Sequence, residues 1–87
     1  MEPVIRLIIK ESDGTYGWAD DLALADFGGI EPKAGDLYCR MVGGSESWRH
    51  RQTFRVLYRV FKEHRIGVVA EWADNPPEDL IEVLERR

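Results

Sequence analysis

One cysteine, Cys39, stands among 87 residues. No internal disulfide can form, and a lone thiol fits a reducing compartment. No apolar run approaches the roughly 20 residues that a membrane-spanning helix requires. Met1-Glu2-Pro3 opens the chain without the basic and then long apolar segments of a secretory signal. These absences together lead to the expectation of a cytoplasmic protein with no membrane partner. His50, His64 and Cys39 lack paired ligand spacing such as His-x-x-x-His or Cys-x-x-Cys, so no metal site is expected. Gly28-Gly29 and Gly43-Gly44 lack the Lys-Ser/Thr tail of a phosphate-binding loop, so no nucleotide cofactor is expected either. Cys39 can be drawn with His50 or His64 as a nucleophilic pair, but no third group orients it. Asp20, Asp21, Asp36 and Glu71 sit at strand or turn ends, where carboxylates are usually solvated or capping. The reading therefore leans away from an enzyme.

What the chain does have is the composition of a folded protein: 44% hydrophobic and 32% charged residues. Its length suits a single domain over residues 1–87, with a thin stability margin because a small chain buries a modest share of its surface. The net charge of −4 argues against a dedicated nucleic-acid binder, but the charge is segregated. Residues 1–39 hold three Lys/Arg and eight Asp/Glu, residues 40–65 seven and two, and residues 66–87 two and six. A basic middle lies between acidic ends. Neighbouring elements can neutralise one another, or the surface can select an oppositely charged partner.

Phe54–Trp72 is the strongest structural signal. Two apolar runs, Phe54–Phe61 and Ile66–Trp72, flank the polar link Lys62–Arg65 and read as a hairpin of β-branched and aromatic residues. Strict alternation puts Phe54, Val56, Tyr58 and Val60 on a core face, with Arg55, Leu57, Arg59 and Phe61 opposite. Gly67 marks a bulge or a close backbone approach. Val4–Ile9 and the Thr15–Trp18 region read as strands around a Ser-Asp-Gly turn, with Tyr16 and Trp18 on one face. Asp20–Phe27 fits either a short helix stopped by Gly28-Gly29 or a strand. Asp36–Val42 alternates as a strand, and Gly43–Gln52 reads as a long polar loop. Asn75 as N-cap, Pro76 in the first turn and Glu78 completing a capping box predict a C-terminal helix with a Leu80, Ile81, Leu84 stripe.

The resulting fold class is α+β: a small, strongly bent antiparallel sheet or SH3-like barrel of four or five strands with a C-terminal helix. The candidate partner-binding residues are Trp48, Arg49, His50, Arg51, Arg55 and Arg59, a basic and aromatic cluster on the long loop and the strand after it. Trp and Arg dominate interaction hot spots, so the leading expectation is a non-enzymatic protein-interaction or regulatory module that binds another protein or a second copy of itself. The alternative is a nucleic-acid-associated module using the same residues for stacking and phosphate contact. A small enzyme comes last.

Overall fold

The computed structural model describes residues 4–43 and 50–86. In chain order these form β1 Val4–Lys10, β2 Tyr16–Ala23, a 3-10 turn Leu24–Phe27, β3 Leu37–Val42, β4 His50–Lys62, β5 Arg65–Trp72 and α1 Glu78–Glu85. The strands make one sheet in the order β2-β1-β5-β4-β3. It is a small curled half-barrel with one C-terminal helix, an α+β fold of the SH3-like kind. The sheet is mixed rather than purely antiparallel, because β1 and β5 run parallel while the other three ladders are antiparallel. Strands buried on both faces read as continuous apolar runs. That is the pattern of Ile66–Ala70, where Val68, Val69 and Ala70 are all buried.

Two irregularities curl the sheet. In β2, Ala19 is the extra residue between Trp18, which faces Ile8, and Asp20, which faces Leu7. In β4, Leu57 is the extra residue between Val56, opposite Ala70, and Tyr58, opposite Val69. Bulges of this kind bend the strand and increase local twist. They carry β2 and β3, at opposite ends of the strand order, towards each other. Arg40 of β3 donates to Asp20 of β2 at 2.8 Å, and the Phe27 and Tyr38 rings lie 4.9 Å apart across the same opening.

The bulge at Leu57 also overturns the expected alternation. Phe54 and Val56 are buried in the concave core with Ile5, Leu7, Ile9, Val68 and Ala70. Past the bulge, Tyr58 and Val60 face outward and are exposed. Arg55 pairs with Glu71 and Arg59 with Val68; positions 68 and 71 of β5 differ in parity, so the two arginines lie on opposite faces of the sheet. Gly67 is the close approach rather than the bulge: a Cβ there would sit 3.2 Å from Ile8 Cδ1. The Asp20–Phe27 segment divides, with β2 running to Ala23 before one 3-10 turn that ends at Gly28 in the left-handed region, φ 72°. The polar residues His50–Gln52 belong to β4, not to a loop, and pair with Arg40–Val42.

The helix starts two residues later than the capping signal suggests, and no side chain caps it. Asn75 is engaged elsewhere: its Oδ1 accepts from the buried Thr53 hydroxyl at 2.6 Å. Glu78 receives Arg51 at 2.7 Å. Thr53 and Arg51 share the face opposite Phe54, so these two contacts tie α1 over the β3–β4 end of the outer face. Ile81 is its one buried side chain. Leu80 and Leu84, expected to pack on the sheet, are exposed.

On the outer face, Arg6 forms an ion pair with Asp21 at 3.0 Å. That hydrogen bond, aided by the Arg6 charge and by donation from Trp18, holds the Asp21 carboxyl below its ordinary value. Its stabilisation is present above the ordinary carboxylate range and fades as pH falls through the lowered folded value. Arg6→Gln should move the Asp21 titration back up, read by carbonyl NMR against pH. An unchanged midpoint would show that the pair does not form in solution.

Candidate functional site

The expected basic cluster is divided by the fold. Trp48 and Arg49 lie outside the described residues. His50, at the start of β4, is exposed. Arg51 donates to both oxygens of Glu78, and this contact raises its pKa above the ordinary guanidinium value. Arg55 stands 3.6 Å from Glu71. Arg59, on the other side of the sheet, pairs with Glu31 and lies over the Phe61 ring. Arg40 is joined to Asp20. The carboxylates come from both acidic ends of the chain, so the segregated charge recombines within the fold. Exposed pairs of this kind contribute little stability. Their effect is to leave little uncompensated positive charge on the described part of the cluster.

A second feature forms where the chain winds round the N-terminal end of β3. A cleft of about 470 Å³ lies among Phe27, Ile30, Leu37, Cys39, Val56 and Leu84. Gly28 and Gly29, both with positive φ, turn the chain so that Ile30 follows the 3-10 turn directly. Asp36 Oδ2 accepts from the Lys33 amide at 2.8 Å and holds the approach to β3. From the other side, α1 brings Leu84. Ile30 and Leu84 are 71% and 78% exposed, large fractions for apolar side chains lining a concavity. Asp26, Glu31 and Asp36 also line it, so the rim is acidic.

Sequence reasoning missed this cleft because its parts are far apart in the chain. Leu84 carried a signal, as one member of the predicted stripe, but was assigned to packing. Ile30 carried none, being a lone apolar residue in a Gly/Pro loop. Cys39 is half-buried in the cleft, with Sγ 3.5 Å from the Thr53 hydroxyl. Burial raises the Tyr38 phenol above its ordinary value. Among the described residues no group of three or more His, Cys, Asp or Glu is placed to hold a metal ion, and no helix is long and apolar enough to cross a membrane. Compared with protein-family models, curated proteins and solved structures, the chain finds no match in any of the three.

Proposed function

We propose that the domain is a non-enzymatic protein-interaction module whose cleft takes an apolar segment of a partner protein that carries lysine or arginine. The observation that carries this reading is the pair Ile30 and Leu84, apolar and exposed on two sides of a concavity. Its volume lies within the roughly 300–1,000 Å³ of ligand pockets. Apolar surface left open in this way marks interaction sites. Charge complementarity selects the partner: Asp26, Glu31 and Asp36 line the cleft, and Glu85 follows Leu84 on α1. Among the described residues, only Glu31 of these has an arginine partner, Arg59. A second copy is the poorer occupant, since its own α1 would bring the same carboxylates to an acidic rim.

The test uses a short peptide of alternating leucine and lysine, with the leucine–glutamate peptide as control, titrated by calorimetry. Only the lysine peptide should bind. Leu84→Asp should weaken that binding at least about tenfold, the effect of roughly 1.4 kcal/mol. It should leave thermal stability nearly unchanged, because the side chain is exposed. Equal binding of both peptides, or binding indifferent to Leu84→Asp, would overturn the proposal.

A further inference from the structure

The outer face of the sheet carries a second, independent surface, away from the cleft. Strand register places Trp18, Ile8, Val69 and Tyr58 in one row across β2, β1, β5 and β4. Tyr16 lies one position along β2 on the same face, and its hydroxyl meets that of Tyr58 at 3.3 Å. For the two hydroxyls to meet, the side chains must reach over Ile8 and Val69, and Val69 is accordingly buried although it faces outward. Trp18, 66% exposed, is held by its Nε1–H donating to Asp21 at 3.2 Å, with the Arg6 guanidinium 4.7 Å from its ring centroid. Three aromatic side chains are thus fixed on one sheet face with no element of the described chain above them.

The strand residues around this row are mainly basic. By the parity of the paired positions, Arg6, Lys10, Arg51, Arg55, Lys62 and Arg65 stand on this face with Asp21 and Glu71, while the acidic α1 covers only its β3–β4 end, away from the row. Asp21 and Glu71 are taken up by Arg6 and Arg55. Lys10, Lys62 and Arg65 have no carboxylate partner among the described residues. They flank the aromatic row along the strand direction, Lys10 beside Tyr16 on one side and the Lys62/Arg65 pair on the other. Glu11, Asp13 and Glu63 stand in the turns beyond, and Asp13 is engaged by Thr15. Aromatic rings fixed on a sheet, flanked by unpaired cations, match the chemistry of unpaired bases and their phosphates. An acidic polypeptide would use the cations and leave the rings unused.

We infer that this outer face binds single-stranded nucleic acid, with bases stacked on Trp18 and on the Tyr16–Tyr58 pair and phosphates at Lys10, Lys62 and Arg65. The row from Trp18 to Tyr58 crosses three strand spacings, about 14 Å, room for the roughly two or three bases that aromatic sheet platforms stack. This patch lies at the β2-β1-β5 end of the sheet and the cleft at the β3 edge, so it does not depend on the peptide reading.

The experiment is fluorescence anisotropy of labelled oligo-dT and oligo-U with the full chain at several salt concentrations. Binding is expected at low salt, with a log–log salt slope of about −2 for three phosphate contacts on a single strand. Trp18→Ala and Tyr58→Ala should each weaken it roughly 5- to 150-fold, circular dichroism confirming that each variant is folded. Lys62→Glu with Arg65→Glu, at the exposed strand ends that flank the hairpin turn, should reduce the slope to about −0.7, circular dichroism again confirming the fold. Absence of binding at low salt would overturn the inference. So would binding indifferent to both aromatic substitutions, or competition by poly-glutamate as effective as by unlabelled oligonucleotide.

Discussion

Phe54→Ala should cost about 3–5 kcal/mol, the usual penalty for emptying a buried aromatic site. Phe54 is 1% exposed and heads the fully buried side chains of the core. Its ring lies 4.7 Å from that of Trp72, with the Arg40 guanidinium 5.7 Å away on the concave side. These neighbours belong to β3 and β5, on either side of β4, so the cavity cannot close by the shift of one loop. A domain of this length has roughly 4–13 kcal/mol in hand, and the midpoint falls by roughly 4–8 °C per kcal/mol. The expected loss is therefore on the order of 12–40 °C. Val60→Ala is the matched control. Regular alternation would make Val60 a core residue equal to Phe54 and Val56. With the bulge at Leu57 it faces outward and is 44% exposed, so its truncation should cost about 1 kcal/mol or less. Comparable losses at Val60 and Phe54 would contradict the observed register.

Ile81→Ala should have a large but local effect. A helix of eight residues is well below the roughly 12–15 that persist alone in water. Here α1 is attached through one buried side chain, the Arg51–Glu78 pair and the Asn75–Thr53 hydrogen bond. Removing about 2–5 kcal/mol of packing from so few contacts should release the helix while the sheet stays folded. Hydrogen exchange should show α1 amides losing nearly all protection and β1 and β5 amides keeping theirs. A global loss of stability as large as that of Phe54→Ala would show instead that α1 is an integral part of the core.

The fold class was legible because composition and turn chemistry act locally. The hairpin around Glu63-His64, the Ser-Asp-Gly turn and the pairing of Tyr16 with Trp18 on one face all follow from nearest neighbours. Two kinds of information were not local. A bulge such as that at Leu57 is set by how β4 must curve against β5, and nothing in Val56-Leu57-Tyr58 announces it. One inserted residue then moves every later side chain to the other face. Cap chemistry failed at Asn75 for a related reason. The residue is a good cap by type, but the buried Thr53 hydroxyl needs an acceptor, and Asn75 supplies it. The sequence likewise displayed a basic middle without showing that Asp20, Glu31, Glu71 and Glu78 would meet its arginines. Of the candidate residues on β4, Arg51 and Arg55 face outward and His50 and Arg59 take the concave side, and the cleft beside Leu84 was visible only once the chain had closed around β3.

The half-barrel thus separates two chemistries. Its apolar, acid-rimmed cleft lies at the β3 edge beside α1. Its aromatic, cation-flanked plate lies on the outer face of β2, β1, β5 and the far half of β4. The protein-interaction reading rests on the first.

The most direct test of that reading is an amide chemical-shift map of the ¹⁵N-labelled chain titrated with the leucine–lysine peptide. Shifts should gather at Ile30, Leu37, Cys39 and Leu84 and leave His50 to Arg55 nearly unmoved. Shifts gathered on His50, Arg51 and Arg55 instead, or none at saturating peptide, would contradict it.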